Sequence, residues 1–168
     1  SADANYGAAG GGLSFDSGTL RVMTDFTSNR DVQLVGAGTV TVGPGGANWA
    51  LAGGTSGTGS HTVNTGASTV TLTGNAAHTG GTMVAGTGSL LIGNGGTTGT
   101  IAGDIINNGN IRFNRSDDSV YAGSITGTGS FAQSGGGTLS LTGNSNWTGS
   151  ASISGGSGLR IASGNNVT

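Results

Sequence analysis

The sequence predicts an all-β chain wound into a three-faced parallel β-solenoid (β-helix) of about seven rungs, and three observations carry that expectation. First, one stretch is written twice. Thr69 to Gly93 reads TVTLTGNAAHTGGTMVAGTGSLLIG and Thr138 to Ala162 reads TLSLTGNSNWTGSASISGGSGLRIA, at a constant offset of about 69 positions without a gap. Second, apolar residues hold the same places in both copies: Val70 and Leu72 against Leu139 and Leu141, Val84 against Ile153, Leu90 and Ile92 against Leu159 and Ile161. The position between the last pair changes from Leu91 to Arg160, so it faces water while its neighbours face a core, the period-two pattern of a half-buried strand. Third, of 168 residues 38 are Gly, one is Pro, none is Cys, and neither Lys nor Glu occurs. With most strong helix formers missing, strands and corners are favoured over helices. Low charge with much Ser, Thr, Asn and Gly also suits a disordered chain. Against disorder, the hydrophobic 33% of residues alternates in register rather than scattering.

Taken in order, Tyr6 to Gly12 reads as a Gly/Ala loop, followed by strands at Leu13 to Phe15 and Thr19 to Met23, with Leu20 and Val22 inward and Arg21 outward. Phe26 to Arg30 reads as a polar turn. Val32 to Val35 and Thr39 to Val42 are the next strands, Val40 and Val42 alternating with Thr39 and Thr41. Gly43-Pro44-Gly45-Gly46 is a turn of the Pro-Gly kind, and Gly53 to Gly59 reads as a corner between rungs, not a domain boundary. In the first copy, strands fall at about 69 to 73, 82 to 85 and 89 to 92. Three strands in about 23 residues make one rung, stacked on the next at about 4.8 Å, so the offset between copies amounts to about three rungs. Between the copies, strands are expected at Thr100 to Ala102, Asn110 to Phe113 and Ser124 to Thr126, with Ile111 and Phe113 inward and Arg112 outward. Asn107-Asn108-Gly109-Asn110 suits a corner, because Asn and Gly tolerate left-handed backbone angles. Gly-Thr-Gly-Ser recurs from Gly57, Gly86 and Gly127 and reads as a reused corner. No composition shift divides residues 1–168. The chain begins at Ser1 and stops at Asn165-Asn166-Val167-Thr168 as if entering another strand, which is expected of a piece of a longer solenoid.

The doubled stretch carries a resemblance. Leu72-Thr73-Gly74-Asn75-Ala76-Ala77-His78-Thr79-Gly80-Gly81-Thr82 and Leu141-Thr142-Gly143-Asn144-Ser145-Asn146-Trp147-Thr148-Gly149 resemble the beta-strand repeat of bacterial autotransporter passenger domains: Leu-Thr-Gly, a few polar residues, an aromatic, then Thr-Gly-Gly-Thr. The approaches from Gly59-Ser60 and Gly129-Ser130 are similar too. His78 departs from the aromatic of the pattern, and Asn75 and Asn144 come one place early. The resemblance implies a right-handed coil, with residues 1–168 a fragment of a passenger displayed at the bacterial cell surface or secreted. It also implies a parent anchored by a C-terminal outer-membrane β-barrel, and a chain free of cysteine because it crosses that membrane unfolded.

Chemistry is sparse. With no Cys and only His61 and His78, the usual zinc sets are excluded, and no nucleophile elbow, dinucleotide fingerprint or phosphate loop occurs. No metal, cofactor or catalytic residue is assigned. The carboxylates are Asp3, Asp16, Asp25, Asp31, Asp104, Asp117 and Asp118. One charged cluster stands out, Arg112, Arg115, Asp117 and Asp118 in NIRFNRSDDSV. Asp and Arg on a solenoid groove suit polysaccharide chemistry, whereas the plainer reading, which we prefer, is a solvated loop with weak ion pairs that is still a place for contacts. His78 and Trp147 occupy equivalent places, which favours packing over sugar stacking. Trp49 reads either as a contact residue or as core. The net charge of −2 leaves no electrostatic footprint for nucleic acid.

What remains is surface: rows of Thr, Ser and Asn on regular strands, which stacking would align into polar ladders with little charge repulsion between molecules. The expected function is non-enzymatic adhesion or cell-to-cell aggregation through such a face, as in biofilm. The partner would be a second copy of the chain, or surface glycans or proteins. Two other readings stand beside it: a passive stalk displaying an effector domain, and an enzyme acting on polysaccharide.

Overall fold

The structure, a computed structural model, describes residues 11–42, 47–65 and 69–162, the side chains of 39–42 and 65 excepted. The expectations for Tyr6 to Gly10, the Gly43 to Gly46 turn, the facing of Thr39 to Val42 and the closing Asn165 to Thr168 lie outside the described residues. Within them, 22 strands follow one another without a helix, and the chain returns to the same face at every third strand. Every pairing is parallel. This is a three-faced β-solenoid of about seven turns.

The first face runs from Leu13–Phe15 through Val32–Leu34, Thr55–Ser56 and Asn75–Ala76 to Thr100–Ile101, and resumes as Ser119–Tyr121, Thr138–Leu141 and Gly158–Ile161. The second holds Thr19–Val22, Gly38–Val42, His61–Thr65, Thr82–Val84, Ile105–Asn107, Ile125–Gly127 and Asn146–Trp147. Phe26–Ser28, Trp49–Leu51, Thr69–Leu72, Ser89–Ile92, Asn110–Asn114, Ser130–Ser134 and Ala151–Ile153 make the third.

Alternation along each strand and parallel pairing between strands together turn the core into columns of equivalent residues. On the third face Phe26, Trp49, Val70, Leu90, Ile111 and Phe131 stand in register, all buried. Beside them run Leu51, Leu72, Ile92 and Phe113. In the later rungs aromatic rings from neighbouring columns and from the second face meet inside the coil. Ring centroids of Phe113 and Phe131 lie 6.0 Å apart, and those of Phe131 and Trp147 5.0 Å apart, within the range of favourable ring contacts.

Several segments differ from the sequence expectation. Phe26–Ser28 is a strand with Phe26 and Ser28 buried, not a polar turn, and the Gly53 to Gly59 corner contains the strand Thr55–Ser56 with Thr55 buried. Asn107 is an inward strand residue whose Nδ2 donates to the Ser130 carbonyl at 2.9 Å. Short strands that turn Ser, Thr or Asn inward near a corner lack the apolar alternation by which strands are read. Leu159 is half-buried and Ile161 is 41% exposed, because their strand is the last described on its face and pairs on one side alone.

Register also revises the spacing. Partners on successive rungs lie from 19 residues apart (Leu13 with Val32) to 25 (Asn75 with Thr100), and commonly 20, as Asn110 with Ser130. Three rungs above Thr69 therefore stands Ser130, not Thr138. The two copies sit on different faces, Thr69–Leu72 on the third and Thr138–Leu141 on the first. The doubled stretch encodes a run of strand, corner and strand that is laid from two different sides of the coil. The Gly-Thr-Gly-Ser corner behaves alike: Gly57 and Gly127 have φ of +99° and +109°, and an added Cβ would lie 2.2 Å from the carbonyl oxygen of Leu34 or Asn107 on the rung below. Only glycine fits both demands.

Candidate functional site

The charged cluster is taken apart by the fold. Asn110–Asn114 points Arg112 outward on the third face, while Arg115, just past the strand, turns in and is 9% exposed. Its guanidinium grips Asp117 with two hydrogen bonds, Nε to Oδ1 at 3.0 Å and Nη2 to Oδ2 at 2.7 Å, and Nη1 donates to the Gly99 carbonyl at 2.7 Å. The corner so braced is the long connection from Gly93 to Gly99, where the sheet of the first face breaks between Ile101 and Ser119. Arg115 and Asp117 are thus a partly desolvated bidentate pair that holds a corner, and the expectation of a solvated loop is corrected for them. Tyr121 braces the same region, its hydroxyl donating to the Gly103 carbonyl at 2.6 Å, and burial pushes its phenol above the ordinary range.

Asp118 belongs to a different device. Its Oδ1 accepts from the backbone N–H of Thr138, one rung away, at 2.8 Å. The same contact recurs from Asp25 to Asn48, Asp31 to Gly54 and Asp104 to Ser124, each at 2.8 Å. Asn48 and Asn108 repeat it with Thr69 and Thr128. These side chains staple a corner to the next rung, satisfying a backbone donor as an N-cap does for a helix. The Ser124 N–H holds the Asp104 carboxyl below its ordinary range.

Trp49 is core, 1% exposed, between Phe26 and Val70. His78 and Trp147 are both fully buried, so neither ring is offered to a ligand. His78 bridges two threonines, with Nδ1 2.7 Å from Thr55 Oγ1 and Nε2 2.9 Å from Thr82 Oγ1. His61 lies against it, ring centroids 5.9 Å apart, and edges onto Trp49 at 6.3 Å. Among the described residues neither His61 nitrogen nor Trp49 Nε1 has a hydrogen-bond partner. Burial lowers both imidazoles, His61 to about 3 with a further push from His78. Among the described residues no three His, Asp, Glu or Cys side chains converge as metal ligands would.

Of the flagged residues, Trp49 and Arg115 border small internal spaces of about 10 and 30 Å³, while Arg112 opens onto a far larger concavity. A groove of about 470 Å³ runs across the third face. One wall is a ladder in register, Thr69, Ser89, Asn110 and Ser130, with Ser150 beyond; the next outward row is Leu91, Arg112, Ala132 and Ser152. Ser130 Oγ donates to Asn110 Oδ1 at 2.5 Å, which links two rungs of the ladder through side chains. Sequence reading anticipated polar ladders but not this one. Its signal was the recurrence of a small polar residue at a spacing of 20 or 21, hidden by the assumption of a longer rung. Comparison with protein-family models, with curated proteins and with solved structures finds no match to the chain.

Proposed function

We propose that this chain is a non-enzymatic segment of a cell-surface autotransporter passenger, and that it contributes to adhesion or cell-to-cell aggregation through a lateral face of its solenoid. The observation that carries this reading is the third face: stacked Thr, Ser and Asn side chains lining a groove of about 470 Å³ on a rigid parallel sheet. Contacts along such a ladder are individually weak and sum along its length. The use of acidic groups supports a non-catalytic role, since Asp25, Asp31, Asp104 and Asp118 are engaged with backbone N–H groups and Asp117 with Arg115.

The test is made on cells displaying the parent protein, with one outward residue charged per face: Thr71→Asp on the third, Ser140→Asp on the first and Thr62→Asp on the second. Thr71→Asp is expected to abolish clumping while the other two leave it nearly intact. Clumping through polar ladders should persist in moderate salt, since few ion pairs are there to be screened. Unchanged clumping in all three variants would leave the segment a stalk.

A further inference from the structure

The third face has a charge asymmetry that its ladders do not account for. Arg112 is the one ionisable side chain on the described strands of that face, and among the described residues no carboxylate lines the groove. In register it stands between Leu91 and Ala132, so neither neighbouring rung compensates its charge. It makes no ion pair or hydrogen bond among the described residues. The other arginines are placed otherwise: Arg30 and Arg115 are buried and donate to backbone carbonyls, and Arg21 and Arg160 are exposed on the second and first faces. An unpaired guanidinium in a half-enclosed trough of neutral groups favours an anionic occupant.

We infer that the groove binds one strand of an acidic linear glycan, laid along the solenoid axis, with a carboxylate or sulfate on Arg112 and sugar hydroxyls on the ladder of Ser89, Asn110 and Ser130. This rests on the adhesion reading of the same face and names its ligand class. Rungs repeat at about 4.8 Å, close to the length of one pyranose unit, so successive sugars meet successive rungs. The guanidinium fork matches a planar carboxylate or two sulfate oxygens with paired N–H donors. Asn110 uses its carbonyl oxygen for Ser130 and has no protein partner for its NH2 group among the described residues, leaving that donor for a ring or hydroxyl oxygen. With one cation, the groove selects for acidity without the steep salt dependence of a polybasic site.

The purified chain is titrated at low salt with an oligogalacturonate, a heparin-derived oligosaccharide and a neutral cello-oligosaccharide. Either acidic oligomer is expected to bind at least about tenfold more tightly than the neutral one, and the stronger of the two identifies carboxylate or sulfate as the preferred acid. Arg112→Gln should weaken acidic binding about tenfold, the worth of one charge-assisted contact, and Arg112→Lys less. Arg21→Gln and Arg160→Gln should change nothing. Arg112 is exposed, so unaltered circular dichroism is expected in its variants. The inference is overturned if neither acidic oligomer saturates the chain, if the neutral one binds equally, if Arg112→Gln is silent, or if all three arginine variants lose affinity alike. Clumping lost in Thr71→Asp without glycan binding would keep the adhesive face and remove the glycan. Arg112-dependent glycan binding with clumping unaffected by Thr71→Asp would do the reverse.

Discussion

His61 and His78 meet inside the coil with ring centroids 5.9 Å apart, both fully buried and with no carboxylate among their hydrogen-bond or ring partners. Burial holds both imidazoles below the ordinary 6.5, His61 to about 3 with a further push from the neighbouring His78. Above that value both are neutral, folded or unfolded, and contribute nothing to pH dependence. As pH falls below 6.5 the unfolded chain takes up protons that the folded chain refuses, and stability drops until the folded pKa is reached, about 3 for His61. The loss approaches 1.4 kcal/mol per pH unit for that one histidine, so urea unfolding at pH 5.0 should show about 2 kcal/mol less stability than at pH 7.5. His61→Leu should remove most of that difference; an unchanged difference would contradict the assignment. A lone histidine in the sequence gives no sign of this, because the same letter serves a solvated corner equally well. Nor do letters separate Arg112 from Arg115. The alternation of NIRFN placed the first outward, but the second is buried only because the Gly93 to Gly99 connection folds over it and offers the Gly99 carbonyl. That depends on a corner length no local pattern reports.

At the scale of the element, strands inside the doubled stretch or with clear alternation were legible, whereas Trp49–Leu51, although two of its apolar residues point inward, and several short strands were not. Thr69–Leu72 and Thr138–Leu141 announce themselves by alternation, whereas Thr55–Ser56, Asn75–Ala76 and Phe26–Ser28 exist because a neighbouring rung supplies the pairing. Corners were legible as Gly-rich punctuation, but the use of Asp and Asn as staples between rungs was not, since it links residues 20 to 23 apart. The staple suggests its own test. Asp118→Ala strands the Thr138 N–H and should cost about 1 kcal/mol, as removal of a helix N-cap does. Asp118→Asn keeps an acceptor oxygen at the same place and should cost a few tenths. Equal losses in chemical denaturation would mean that the charge, not the acceptor, matters.

A solenoid has no centre: each rung touches its two neighbours, and stability is a sum of rung and interface terms that different regions need not share. Both halves of this core bury polar groups, but of different kinds. In the earlier rungs the interior includes Thr55, His61, His78 and Thr82; in the later rungs it includes Asn107, Gln133 and Ser145, beside a chain of ring contacts from Tyr121 through Phe113 and Phe131 to Trp147. Acid therefore weakens one end of the coil through the histidines and leaves the aromatic end with no buried imidazole to charge. The tryptophans report the halves separately, Trp49 lying against His61 and Trp147 against Phe131. In Trp147→Phe the remaining fluorescence should change as pH is lowered from 6.5 to about 4, the window set by the depressed imidazoles. In Trp49→Phe it should hold through that window and change only at lower pH, as Asp104 protonates, its carboxyl being held low by the Ser124 N–H. The separation should vanish when His61→Leu is added to Trp147→Phe, since the earlier rungs then lose their acid-sensitive group. If both tryptophans report one coincident transition in the unaltered histidine background, the rungs are coupled strongly enough to unfold as a unit. The buried histidine pair would then be a defect spread over the whole coil instead of a point at which it opens.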